Sequence, residues 1–193
     1  MTGLLGGTFD PPHFGHLLLG EEARLRFGLE RVIFVPSRNP PHKPGIALSP
    51  FEHRMAMLEL AVLDNASFEA ADLEAEAGSS YTCDLLELAS SRFEGVVFLM
   101  GMDSLVEMPS WKNYPGLLDL ARFAAGTRPG WSSAMAAPAT LARVEIFEFP
   151  GLHVSSTELR ERFARGGATR YLTPDAVRAH ALRERLYGGA EGY

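Results

Sequence analysis

The stretch "GGTFDPPHFGHL", residues 6–17, crowds glycines, prolines and histidines behind a short apolar run. Gly6 and Gly7 carry no Cβ, so the main chain there can come close to a ligand. Pro11 and Pro12 stiffen the turn that follows. His13 and His16 are three apart, so on an opening helical turn their rings share a face, and Gly15 removes bulk beside it. A helix starting there adds free N–H groups and the positive end of a dipole, and the set makes a phosphate seat. The spacing also fits capping or surface histidines, or two ligands of a metal, although no cysteine or third histidine lies close by.

Other residues could share in that chemistry. Ser155, Ser156 and Thr157 open a helix; Ser155-x-x-Glu158 reads as a capping box, and the same helix end can receive an anion. Arg160 follows one turn on. Asp103 comes just after the run "GVVFLMG", where an acid can accept ribose hydroxyls or cap the next turn. Trp111, in the polar stretch "PSWKNYP", offers a flat π-face or a packing group. His42 and Lys43 lie in "PPHK", a proline-held loop whose cation can meet phosphate or simply face water. The dinucleotide fingerprint G-x-G-x-x-G and the P-loop are both missing. No Ser/His/Asp or Cys/His set for covalent catalysis is apparent.

Composition bounds the partners. The chain has 193 residues, 46% hydrophobic and 22% charged, enough for one globular domain, expected to span 1–193. A net charge of −6 argues against a nucleic-acid partner held by bulk electrostatics. Yet Arg38, His42, Lys43, His53 and Arg54 face only Glu52 within one short segment, which suits a small anion. The single cysteine, Cys83, excludes an internal disulfide and fits a reducing compartment. The N-terminus lacks the pattern of a signal peptide, and no apolar run approaches the ~20 residues of a membrane span. A cytoplasmic protein without membrane partners is expected, and a homo-oligomer stays open.

These groups must be positioned by alternating elements. "GLLGG", "RVIFVP", "SFEAADLE", "GVVFLMG", "RFAAGTR" and "RVEIFEFP" read as strands. Helices are expected at 17–28 with Gly28 as stop, at 49–64 with Ser49 as N-cap, Pro50 first and Glu52 reaching back, and at 82–93. A short helix is expected at 114–121, then one from Ser155 to Gly166, and a last one capped by Thr173 with Pro174 in its first turn. The order predicts an α/β fold: a Rossmann-like, doubly wound parallel sheet with helices on both faces and ligands past the carboxyl ends of the strands. The helices of about 155–187 would form a small subregion.

The combination of motifs resembles a known family. "GGTFDPPHFGH" is similar to the signature of the nucleotidylyltransferase superfamily, whose H-x-G-H motif binds the triphosphate of the nucleotide donor. "PSRNPPHK", "SYTCDLL", "FLMGMDSLVEMPSWKNYPGLLDLARFAAGTRPGW" and "VSSTELRERF" follow in the order and at about the spacing of the bacterial nicotinate-nucleotide adenylyltransferases. The likeness runs from Gly6 to the last helix. It implies an enzyme that joins ATP and nicotinate mononucleotide into deamido-NAD and pyrophosphate by direct in-line transfer, with Mg²⁺ carried mainly on the ATP phosphates. It implies catalytic roles for His13, His16 and Arg160. ATP would meet Gly6, Gly7, Thr8, Phe9, His16, Gly101, Asp103, Ser155, Ser156, Thr157 and Arg160. Nicotinate mononucleotide would meet Lys43, Tyr81, Thr82, Trp111 and Arg128, with no protein ligands dedicated to a metal. Arg54 is a further candidate for substrate phosphate, Arg38 and Asp84 have no assigned role, and Met102, where the family often has a small residue, could reshape the adenine pocket. Alternatives are a phosphopantetheine-type adenylyltransferase or a non-catalytic nucleotide binder.

Overall fold

Short buried runs rich in β-branched and aromatic residues alternate with amphipathic stretches, and the chain resolves that alternation into a layered α/β fold. The computed structural model describes residues 1–40, 47–127, 134 and 136–188. The elements run β1 (Thr2–Gly7), α1 (Phe14–Phe27), β2 (Arg31–Pro36), α2 (Phe51–Val62), β3 (Phe68–Ala70), α3 (Leu73–Ala77), α4 (Thr82–Arg92) and β4 (Val96–Gly101). They continue with α5 (Met102–Glu107), two 3₁₀ turns (Met108–Ser110 and Gly116–Asp119), β5 (Arg122–Thr127), α6 (Pro138–Leu141), β6 (Glu145–Glu148), α7 (Ser156–Ala164) and α8 (Asp175–Arg183).

Among the described residues six strands form one sheet in the order β3-β2-β1-β4-β5-β6, every pairing parallel. This is the doubly wound order, whose direction of growth reverses between β1 and β4. The β1–β4 register, Leu5 opposite Leu99, carried on by two residues sets Gly7 beside Gly101 at the carboxyl edge. Strand pleating sends neighbouring side chains to opposite faces. Leu4, Ile33 and Phe98 therefore pack with α4 and α5, while Leu5, Phe34 and Leu99 pack with α1 and α2. A third cluster, Met57, Phe163, Val177 and Ala181, seats α7 and α8 on α2.

Several boundaries differ from the sequence reading. α1 begins at Phe14, three residues early, because His13 itself occupies the N-cap. Gly28 ends it at φ 60°, as expected of a left-handed stop. The third strand covers only Phe68–Ala70, after which Asp72 caps α3 by accepting the Ala75 N–H. The capping box predicted at Ser49 does not form: Pro50 is the N-cap of α2. The Ser49 N–H donates instead to Asp10 Oδ2, 3.1 Å. Thr173 likewise does not cap α8, whose N-cap is Pro174. Ser155 does cap α7, accepting the Glu158 N–H at 3.1 Å, but the reciprocal half of its box is replaced by a Glu158–Arg162 ion pair at 2.7 Å.

Candidate active site

The loop after β1 is built from residues that cannot complete their own hydrogen bonds, and the C-terminal elements complete them. Pro11 and Pro12 lack N–H groups, so this segment presents carbonyls with little local partnering. The Asp10 carbonyl accepts from Arg160 Nη1 at 2.8 Å, the Pro11 carbonyl from the Ser156 hydroxyl at 2.9 Å, and the Pro12 carbonyl from the Thr173 hydroxyl at 2.7 Å. The Phe14 N–H then donates to the Leu172 carbonyl at 3.1 Å. The buried Asp10 carboxylate accepts the Tyr187 hydroxyl at 2.7 Å as well as the Ser49 N–H. Burial, then the Asp10 charge, push the Tyr187 phenol far above its ordinary range, so it remains a donor.

These ties bring the N-termini of α1 and α7 to the same loop. At the first, the His13 N–H donates to His16 Nδ1 at 3.2 Å, as one half of a His13–His16 capping box. Nδ1 is the acceptor in this hydrogen bond, which leaves Nε2 as the ring's donor position. The two imidazoles stack, centroids 3.6 Å apart and planes 21° apart, and the Phe9 ring meets His16 edge-on at 5.0 Å. A Cβ at Gly15 would stand 3.0 Å from His13 Nδ1 and 3.3 Å from Val154, so glycine there lets the stacked pair lie against α7's entry. One at Gly7 would stand 2.9 Å from the Phe9 ring, which is fully buried with its backbone at φ 50°.

Arg54 has a different place from the one expected. Its side chain is 2% exposed and its guanidinium donates to four carbonyls: Thr8 at 2.9 Å, Ser37 at 2.7 Å, Ser49 at 3.1 Å and Arg38 at 3.3 Å. It is an internal clamp joining the loops after β1 and β2, and its hydrogen-bonding reach is spent there rather than on substrate phosphate. Burial pulls its pKa down, a shift opposed by the charges of Asp10 and Glu74. Arg38 pairs with Asp72 and lies over the Phe51 ring, 4.3 Å from its centroid. The Met102 side chain is buried in the core cluster that includes Leu105.

The second half of the site lies around α4 and the 3₁₀ turns. Tyr81 is the N-cap of α4, Thr82 its first residue, and Asp84 sits in its first turn. Trp111 packs edge-on to Phe98, centroids 6.3 Å apart. Buried Glu74 joins this half to the loop after β2: its Oε2 accepts the Arg38 N–H at 2.7 Å and the hydroxyls of Ser80 at 2.5 Å and Ser37 at 3.4 Å. Asp103 is exposed in the first turn of α5, directly after Gly101.

Among the described residues, the predicted set forms two groups, with Gly101 at the end of β4 and Asp103 in the first turn of α5 apart from both. Gly6, Gly7, Thr8, Phe9, His13 and His16 gather with Ser155, Ser156, Thr157 and Arg160; Tyr81, Thr82 and Trp111 gather around α4. The Phe9 ring is sequestered and the Ser156 hydroxyl is committed to Pro11, which leaves their backbones to meet a ligand. His42, Lys43 and Arg128 lie outside the described residues. The sequence reading missed Asp10, Glu74, Thr173 and Tyr187 as supports, since nothing local signals partners so far away along the chain. Among the described residues no three His, Cys, Asp or Glu side chains come together as a metal cage. No helix is long and apolar enough to cross a membrane, among the described residues.

Comparison with known proteins gives the family and the fold. The family described as cytidylyltransferase-like matches residues 4–162. The chain is 42% identical over 192 residues to a probable nicotinate-nucleotide adenylyltransferase of Roseiflexus sp. (strain RS-1), covering 96% of each. It is 39% identical over 189 residues to the nicotinate-nucleotide adenylyltransferase of Bacillus subtilis (strain 168), covering 96% of this chain and 97% of the relative. Its fold is similar to that of Plasmodium falciparum nicotinic acid mononucleotide adenylyltransferase complexed with APC, with a TM-score of 0.79 at 18% identity over 98% of each chain.

Proposed function

The chain belongs to the cytidylyltransferase-like family, and from that premise we propose that it transfers the adenylyl group of ATP to nicotinate mononucleotide, releasing pyrophosphate and giving deamido-NAD. The observation that carries this reading is the lashing of two helix N-termini to one glycine- and proline-rich loop by Arg160, Ser156 and Thr173. Helix starts present unpaired N–H groups and partial positive charge, which suits a triphosphate.

The attacking group is a phosphate oxygen of the mononucleotide. It is already anionic and needs no general base. A new bond forms from that oxygen to the α-phosphorus of ATP as the bond to the departing pyrophosphate breaks, in line and without a covalent enzyme intermediate. Two polyanions repel, so the chain's work is to align them and to meet the charge growing on the leaving group. His16 Nε2–H, His13, the remaining N–H groups of Arg160 and the first amides of α7 supply that field. Gly6, Gly7 and Thr8 let the triphosphate lie against the end of β1, while Gly101 and Asp103 serve the adenylate side. Tyr81, Thr82 and Trp111 hold the pyridine ring and its carboxylate, with Lys43 and Arg128 for the mononucleotide phosphate. Mg²⁺ carried on the ATP phosphates would supply further charge neutralisation, and among the described residues no cluster of three His, Cys, Asp or Glu side chains offers it a cage. The reading includes a cytoplasmic enzyme with small-molecule substrates and no nucleic-acid partner.

The test is pyrophosphate release from ATP with nicotinate mononucleotide, nicotinamide mononucleotide or phosphopantetheine. Fastest turnover with nicotinate mononucleotide is expected. Preference for phosphopantetheine would replace this reading with that transferase, and no release from any acceptor would leave a nucleotide binder.

A further inference from the structure

We propose that Lys112 is a specificity-determining residue, the cation that lets the pyridine subsite choose a carboxylate over an amide. The inference rests on the placement of that subsite at Tyr81, Thr82 and Trp111. Lys112 directly follows Trp111, and its Nζ stands 3.2 Å from Asp84 Oδ2 and 4.4 Å above the centroid of the Tyr81 ring. Asp84 lies in the same first turn of α4 that Thr82 begins. A ligand carboxylate that reaches for the start of this helix therefore approaches a resident carboxylate too. Uncompensated, Asp84 would repel the acid ligand and leave the neutral amide untouched, the reverse of what the reaction requires.

Lys112 removes that repulsion. Its ammonium cancels Asp84, so the partial positive charge of the helix start becomes the net field that a ligand meets. The π-face of Tyr81 holds the ammonium from the other side, which limits its escape into water. Both partners are charged at neutral pH. The Ser79 hydroxyl, and then Lys112, hold the Asp84 carboxyl below its ordinary range, and hydrogen bonding to Asp84 holds Lys112 above the ordinary lysine range. The exposed side chain of Lys112 packs into no core, so its removal tests charge rather than folding.

A strut is the competing role: the same ion pair could merely tie the Trp111 segment to α4. Removing each partner in turn separates the two. The measurement is the ratio of kcat/KM for nicotinate mononucleotide to that for nicotinamide mononucleotide, with saturating ATP and Mg²⁺. Lys112→Met is expected to lower the ratio about five- to tenfold, the effect of one partly screened charge, through KM for the acid substrate. Asp84→Asn breaks the same pair yet is expected to hold or raise the ratio, and Lys112→Arg to keep it. If Lys112→Met leaves the ratio unchanged, or Asp84→Asn lowers it as much, Lys112 is no selector and the proposal is overturned. Trp111→Ala tells this failure from a deeper one. If it raises KM for nicotinate mononucleotide while Lys112→Met does nothing, only the role of Lys112 falls. If it leaves that KM unchanged, the subsite is elsewhere and the proposal falls with it.

Discussion

Replacing Arg54 by methionine keeps most of the side-chain volume and removes all of its donors. Four carbonyls, from Thr8, Ser37, Arg38 and Ser49, then lose the group that gathers them. Hydrogen bonds to a charged donor contribute about 1.5–3 kcal/mol each. Against this stands the cost of keeping a guanidinium at 2% exposure with no carboxylate bonded to it, several kcal/mol for a buried ion. Polar space bordered by Arg38, Ser49 and Glu52 also lets water satisfy part of the orphaned set. The net loss should be about 3 kcal/mol, and for a chain of this length that lowers Tm by roughly 6–12 °C. Because Thr8 belongs to the loop after β1, proposed to hold phosphate, and Ser37 to the loop after β2, turnover should fall along with stability. Arg54→Lys, which has fewer donors and no planar fork, should recover only part of either. Thermal melts followed by circular dichroism, with pyrophosphate release at a temperature where all variants are folded, provide the readout. An Arg54→Met protein that melts within about 2 °C of the parent would show that these loops hold themselves together, and the clamp would have to be abandoned.

Two further outcomes follow from the same contacts. His16→Ala should lower kcat at least about tenfold, since it deletes a donor to the leaving group, while costing no more than about 1 kcal/mol of stability for the lost half of the capping box; full activity in the variant would remove His16 from the chemistry. Acid should weaken the α2–α8 contact, where His53 Nδ1 and His180 Nε2 lie 3.2 Å apart and Arg183 Nη2 lies 3.0 Å from His180 Nδ1. Burial first, then the charges of Arg183 and His53, hold His180 below the ordinary histidine range. The folded state thus binds its proton less readily than the unfolded chain, so this stabilisation is present above about pH 6.5 and is lost as pH falls further. The drop in Tm between pH 8 and pH 5 should be shallower for His180→Gln; equal slopes would assign the acid sensitivity to other groups.

Much of this was legible in the residues. Short apolar runs such as "RVIFVP" and "VVFLMG", rich in β-branched and aromatic residues, read as strands buried on both faces, and their alternation with helical stretches leads to a doubly wound sheet. The glycines and histidines of the first loop point to an anion site through local chemistry alone, and the fold sets them beside the start of α7. Where the reading went astray, the deciding partner was remote. Ser49 and Thr173 have the right types for caps, yet Asp10 and Pro12 engage them instead, one through its backbone N–H and the other through its hydroxyl. Arg54 reads as a free cation in a basic segment until folding wraps carbonyls around it. Glu74 sits in an ordinary acidic stretch, and only the tertiary fold sets Ser37 and Ser80 against its one oxygen.

The carbonyls of Asp10, Pro11 and Pro12, fastened by Arg160, Ser156 and Thr173, impose an order on the folding of this protein. A chain emerging from the ribosome can present all six strands while the first loop still hangs open, because the residues that lace it shut follow the sixth strand. The loop is closed in stages, first by α7 through Ser156 and Arg160 and then by Thr173 ahead of α8. A chain cut short before Thr173 would leave the Pro12 carbonyl without its hydroxyl partner and Met57 without Val177 and Ala181.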